Sequence, residues 1–123
     1  MSAANQDVRA LVSGWIDSWN QRDLDGIMAH YADGVVFEAN TVVTRWNRPD
    51  GRLHGAGELR EHFRRGLDLA PSLHFSLEGV FTSPSGYAAL YSRDNGNRVL
   101  DVVELNEETK AINVKAFYVA EQS

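Results

Sequence analysis

Apolar residues recur every three or four positions in the first part of the chain. Val8, Leu11, Val12, Trp15 and Trp19 fall on one helical face, and Arg9, Ser13, Asp17 and Asn20 lie elsewhere. The pattern predicts a helix over about residues 6–20, with Asn5 as its N-cap. Asp23 is placed to cap a second helix carrying Leu24, Ile27, Met28 and Tyr31, which stops near Gly34. Val35 to Ala39 reads as a short strand. Residues 40–56, NTVVTRWNRPDGRLHGA, show no period and contain the turn signal Pro49-Asp50-Gly51, so they are expected to be irregular. Leu59, Phe63 and Leu67 then mark a third helix, which Pro71 ends.

After Pro71 the period shortens to two. In LHFSLEGVF, Leu73, Phe75 and Leu77 alternate with His74, Ser76 and Glu78. YAALYSRDNGNRVLDVVEL reads as a hairpin closed by Asn95-Gly96, and KAINVKAFYV as a last strand with Ile112, Val114, Ala116 and Tyr118 on one side. No linker, repeat or low-complexity segment interrupts the chain. Helices first and an antiparallel meander afterwards predict one α+β domain over residues 1–123. A two-residue turn at Asn95-Gly96 would pair Asp94 with Asn97. Tyr91 would then face Leu100, and Tyr87 would face Glu104. Leu100, Val102 and Glu104 would share a face with Tyr87, Ala89 and Tyr91, leaving Asp101, Val103 and Leu105 on the opposite one. Both faces are apolar and three helices can cover only one, so a homodimer through the other face, including Val103 and Leu105, is expected.

Composition narrows the function classes. A chain of 123 residues suits one compact domain with a real core. No apolar run approaches the ~20 residues of a membrane span, and Met1 to Asn5 lack the basic and apolar regions of a signal peptide. Cysteine is absent, which fits a reducing cytoplasm and removes thiolate chemistry. The formal charge of −5, with both signs mixed, argues against a nucleic-acid partner.

Three stretches together carry a family resemblance: WNQRDLDGIMAHYADGVVFE, HGAGELREHFRRGL and LDVVELNEETKAINVKAFY. The chain resembles the nuclear-transport-factor-2-like, or SnoaL-like, superfamily over nearly its whole length. The resemblance implies a cone-shaped, cystatin-like fold: three N-terminal helices on a curved, mainly antiparallel sheet, a pocket between them, and a convex face that often forms a homodimer. Members include isomerases, cyclases, dehydratases, hydrolases and binding modules. Laid over the ketosteroid isomerase pattern, YADGVVFEAN puts the family's aspartate base at Ala39, its first-helix tyrosine at Trp15, its late-strand acid at Glu104 and a supporting tyrosine at Phe63, while Tyr31 remains. An alanine cannot take a proton, so steroid isomerisation by the usual route is not expected.

The remaining candidate chemistry is sparse. Glu104 is either a partly desolvated acid/base group or a solvated rim residue. His62, beside the apolar stripe of the third helix, is either a proton shuttle or an exposed histidine paired with Glu58. His54 reads as structural, and His74 as facing the convex side or solvent. Trp15, Trp19, Tyr31, Phe37, Ala39, Phe63, Tyr91, Val102 and Tyr118 are the expected pocket wall, although aromatic residues in a small domain are more often plain core. Trp46 is read as a lid over the pocket or as packing at a dimer edge, and the flanking Arg45 and Arg48 as binding an acidic ligand group or solvating the loop. No metal-ligand spacing, nucleophile elbow or phosphate loop is present, and no cofactor is expected. Two readings follow: a cofactor-free acid/base enzyme of isomerase, cyclase or dehydratase type using Glu104 and His62, or a non-catalytic module binding a small apolar ligand.

Overall fold

The computed structural model describes the backbone of residues 2–120 and the side chains of residues 7–120. The first helix, α1, is Ser2–Asn20. It begins ahead of Asn5, whose side chain lies outside the described residues. Asp23 caps α2, Leu24–Met28, by accepting a hydrogen bond from the Gly26 N–H at 3.1 Å. This helix is shorter than its apolar residues suggest. The backbone at His30 accepts from the Ala111 N–H at 2.9 Å, and Tyr31 already pairs with Ala111. Tyr31 therefore opens strand β1, Tyr31–Glu38, instead of closing a helix. Parallel pairing to a distant strand overrides the local helical pattern.

The segment expected to be irregular holds a further short helix, α3 (Asn40–Arg45), and a three-residue strand, β2 (Arg52–His54). Its β-branched Thr-Val-Val-Thr run favours helix poorly, and the burial of Val42 in the core holds it there. Among the described residues four helices thus lie on the sheet, where three were expected. The longest after α1 is α4, Ala56–Leu69, and it ends just ahead of Pro71. Four long strands follow: β3 (Phe75–Ser83), β4 (Gly86–Arg93), β5 (Arg98–Leu105) and β6 (Ala111–Tyr118). The six strands form one sheet in the order β2-β1-β6-β5-β4-β3. All pairings are antiparallel except β1 with β6. The helices pack on one face of this sheet, α1 against β3 and α4 against β1, and the buried side chains form a single cluster between the layers.

The turn between β4 and β5 decides which residues face that layer. Arg93 pairs with Asn97, its N–H donating to the Asn97 carbonyl at 2.8 Å, and Gly96 donates to the Arg93 carbonyl at 2.9 Å. The loop is therefore three residues long, Asp94-Asn95-Gly96. Among those residues only Gly96 lies in the left-handed region, at φ +88°, whereas a two-residue type I′ turn needs positive φ at both central positions. The register shifts by one residue from the expected pairing: Tyr91 is opposite Val99, Ala89 opposite Asp101 and Tyr87 opposite Val103. One step inverts both faces. Asp101 and Val103 point to the helices and are buried, and Leu105 packs against the core. Val102 and Glu104 point outward, Val102 with 43% of its surface exposed. The sheet closes tightly here: a Cβ on Gly86 would lie 1.9 Å from the Val103 carbonyl oxygen.

The outer face keeps an apolar strip. Phe81, Ala88 and Val102 follow one another across three strands, and Phe117 pairs with Leu100. Phe81 and Phe117 are more than half exposed. Among the described residues, no helix is long and apolar enough to cross a membrane.

Candidate functional site

Between helices and sheet lies a cavity of about 130 Å³. Trp15 and Trp19 of α1, Phe37 of β1, His62 and Phe63 of α4, and Phe75 of β3 make its apolar wall, and Tyr91, Asp101 and Tyr118 line its sheet side. These places follow from local periodicity. Trp15 and Trp19 are four apart on α1. His62, Phe63 and Gly66 lie within one turn of α4, so Gly66 leaves space beside the two rings. Trp19 meets Phe63 edge-on at a centroid distance of 4.9 Å, Phe75 meets Tyr91 tilted at 4.7 Å, and Trp15 stacks on Phe75 at 6.1 Å.

Asp101 is the one carboxylate among the described lining residues, and it is 4% exposed. The Tyr91 hydroxyl donates to its Oδ1 at 3.2 Å. Burial raises the carboxyl to about 7, with the Tyr91 hydrogen bond pulling the other way. Four tyrosines, Tyr31, Tyr87, Tyr91 and Tyr118, are pushed above the usual phenol range, first by their own burial and also by the Asp101 charge. They stay protonated at any physiological pH. Asp101 is thus an acid in an apolar cavity that titrates near neutrality.

His62 lines the same cavity and is 3% exposed, so the reading of an exposed histidine paired with Glu58 is overturned. Glu58 instead holds Arg48 through two hydrogen bonds at 2.7 and 2.8 Å and accepts the His54 N–H at 2.9 Å. The tautomer of His62 follows from its partners. The Trp46 indole N–H can only donate, and it donates to Nδ1 at 3.1 Å. The proton of the neutral ring therefore sits on Nε2, which donates to Thr41 Oγ1 at 3.2 Å. Burial, then Arg45 and Arg65, lower its pKa to about 4. Both ring nitrogens are occupied, so His62 fixes the α3–α4 wall and has no free lone pair to take a substrate proton. Two guanidinium groups lie over the Trp46 ring, Arg48 at 4.9 Å and Arg65 at 4.6 Å from its centroid. It packs against the core edge beside the cavity.

The structure brings Trp15, Trp19, Phe37, Phe63, Tyr91, Tyr118 and His62 together at one cavity. Tyr31 and Ala39 are buried but do not line it; Tyr31 accepts the Trp15 indole N–H at 2.9 Å behind the wall, and Ala39 is the N-cap residue of α3. Glu104 and Val102 are corrected to the outer face, where they border a separate groove with Phe81 and Lys115. The acid that faces the cavity from the late strand is Asp101, which the sequence reading had turned outward. Arg45, read as binding an acidic ligand group or solvating its loop, lines the cavity; Arg93 and Thr41 line it too and were missed as wall residues. Among the described residues, no group of three His, Asp or Glu side chains converges to hold a metal ion.

An open mixed sheet with helices on one face and a cavity between them defines the cystatin-like, NTF2-like α+β class. Solved structures agree. A protein of unknown function with a cystatin-like fold from Methylobium petroleophilum PM1 matches at TM-score 0.71 and 16% identity, over 94% of this chain and 78% of its own. An NTF2-like protein of unknown function from Cytophaga hutchinsonii ATCC 33406 matches at TM-score 0.67 and 12% identity, over 91% and 89%. A SnoaL-like protein of unknown function from Burkholderia thailandensis E264 matches at TM-score 0.88 and 29% identity, over 92% and 94%. The SnoaL-like domain profile matches residues 12–111, and the chain belongs to that family. No curated protein matches the sequence.

Proposed function

We propose that the cavity binds a small, mainly apolar molecule and that Asp101 exchanges a proton with an oxygen-bearing group on it, in cofactor-free chemistry of the isomerase, cyclase or dehydratase kind. The observation that carries this reading is the Asp101 carboxyl, buried among aromatic rings and poised near neutrality. Size limits the ligand. An apolar cavity of roughly 150 Å³ holds benzene, so about 130 Å³ suits one ring and is too small for a four-ring steroid. The probe is 2-cyclohexenone, followed by tryptophan fluorescence, since Trp15 and Trp19 line the cavity. Protonated Asp101 donates to the carbonyl oxygen, so binding weakens as the pH rises through about 7, and Asp101→Asn removes that dependence. In deuterated buffer, exchange of the hydrogens beside the carbonyl above the buffer rate, lost in the same variant, marks catalysis. Binding that ignores pH, or no binding, counts against the reading.

A non-catalytic binding module is the second reading. Two observations favour it: Ala39 stands where the related isomerases carry their base, and both nitrogens of His62 are engaged. Binding without hydrogen exchange selects it. In either case the exposed strip of Phe81, Val102 and Phe117 suits a homodimer through the outer sheet face. That face takes the place of the Val103 and Leu105 surface, which the register turns inward.

A further inference from the structure

We propose that the cavity's ligand is a carboxylate: a monocyclic acid whose carboxylate is held by Arg45 and Arg93, with an oxygen substituent across the ring reaching Asp101. The proposal rests on the binding reading above and adds the ligand's charge and orientation.

Arg45 and Arg93 come from distant parts of the chain, the end of α3 and the end of β4, and both line the cavity. They approach one end of the cavity: α3 packs against β6, and the last residue of β6, Tyr118, pairs with Val99 near the turn end of the β4–β5 hairpin, where Arg93 stands. Arg45 is surface-exposed, and no carboxylate among the described residues forms an ion pair with it. Its neighbours differ: Arg48 holds Glu58, and Arg65 holds Glu61. The Arg45 guanidinium lies beside Gly66 of α4, with Nη1 3.5 Å from where a Cβ would stand. Arg93 meets Asp94 only through Nη2, at 3.3 Å. Its Nε is buried without a hydrogen-bond partner among the described residues, and the same holds for the indole N–H of Trp19, another wall residue. Buried donors without partners are uncommon in folded proteins, and here two of them belong to side chains that line one cavity. Donors of this kind call for an acceptor.

The cations and the acid are separate. On the β4–β5 ladder Asp101 lies opposite Ala89, four residues along β4 from Arg93, or roughly 13 Å at the rise of a strand. A ligand that satisfies both ends has an anionic group at the Arg45–Arg93 end, an apolar middle against Trp19 and Phe63, and an oxygen at the Asp101 end. With about 130 Å³ available, the middle is one ring. The geometry thus fits an aromatic or cyclohexenyl acid with a hydroxyl or carbonyl group opposite the carboxylate.

Calorimetry at pH 6 with 4-hydroxybenzoate and its neutral isostere 4-hydroxybenzamide tests the charge. The acid is expected to bind roughly tenfold tighter or more, as a charge-assisted contact to two guanidinium groups implies. The preference shrinks with added salt and is lost in Arg45→Gln, a surface substitution that leaves the fold intact. Equal binding of acid and amide overturns the proposal, as does a preference that survives Arg45→Gln. If 2-cyclohexenone binds with the expected pH dependence while the acid does not bind, only the carboxylate assignment fails. If none of the three probes binds, the cavity reading fails with it.

Discussion

Replacing Asp101 with asparagine should make this protein more stable at neutral and alkaline pH, although the substitution removes a hydrogen-bonded core residue. The folded carboxyl is raised from the usual 3.8 to about 7. A raised acid contributes stability that is fully present below the unfolded value and is lost as the pH rises through the folded value. The window is therefore pH 4 to 7. At about 1.4 kcal/mol per pH unit, the interval corresponds to about 4 kcal/mol at most. Water entering the cavity would reduce this, and a difference of about 2–4 kcal/mol is expected. Asparagine has nearly the same shape, carries no charge and keeps an oxygen for the Tyr91 hydroxyl. Wild type and Asp101→Asn should thus unfold at similar urea concentrations near pH 4.5. They should diverge by roughly 1 kcal/mol per pH unit above it and run parallel beyond about pH 7.5. The comparison cancels titration of His62 and the surface carboxylates, which both proteins share. A gap that does not change with pH would refute the reasoning, because it would mean that Asp101 ionises in the folded state as freely as in the unfolded one.

Further outcomes follow from the same geometry. His62 should stay neutral from pH 8 down to about 5 with its proton on Nε2, as its pKa of about 4 requires; imidazole nitrogen shifts in NMR read both, and ordinary titration near 6.5 would count against the Trp46–His62–Thr41 chain. Gly86→Ala should destabilise by more than about 2 kcal/mol, since its Cβ would meet the Val103 carbonyl at 1.9 Å; wild-type melting would mean that the β4–β5 register is not the one described. Glu58, held at about 2 first by the Arg48 hydrogen bonds and then by the His54 N–H, contributes stability present above about 4.5 and lost as the pH falls toward 2. Arg48→Ala should flatten that acid limb. The pair is a third exposed, so the effect is small. Val102→Lys should convert a dimer to monomer in sedimentation, and an unchanged assembly would exclude the outer face.

The helical part of this fold was legible because its period is strong. Trp15, Trp19, Leu59, Phe63 and Leu67 each repeat at helical spacing and each is buried. The hairpin was legible as a hairpin but not in register. Asn-Gly signals a two-residue turn, and a three-residue loop with the same glycine at its end uses the same letters. The strand itself offers no arbitration: Val99, Asp101 and Val103 form one alternating set, Leu100, Val102 and Glu104 the other, and each carries one acid among apolar residues. The pocket acid was therefore assigned to Glu104 by a one-residue slip. The α3 helix escaped because β-branched residues seldom form helices unaided. The inward turn of His62 could have been found, since it lies beside Phe63 and one turn from Gly66, the residue that opens the space it faces.

A cavity with one titrating carboxyl restricts the chemistry it can support. Asp101 is the only acid among the described lining residues, the four nearby tyrosines stay protonated, and His62 has no free nitrogen. A proton taken from the ligand must then be given back by the same carboxyl, or leave with water. The first route moves a proton along one face of an unsaturated ligand, and the second adds or removes water. Each passes through developing charge on an oxygen, which the Tyr91 hydroxyl beside Asp101 would stabilise. A two-group mechanism gives a bell-shaped pH profile. One carboxyl cycling between both roles gives a rate that follows a single ionisation near pH 7, with no second limb up to the pH at which the fold itself fails. A bell with a second apparent pKa inside the stable range would require another participant, and would remove Asp101 as the sole proton carrier.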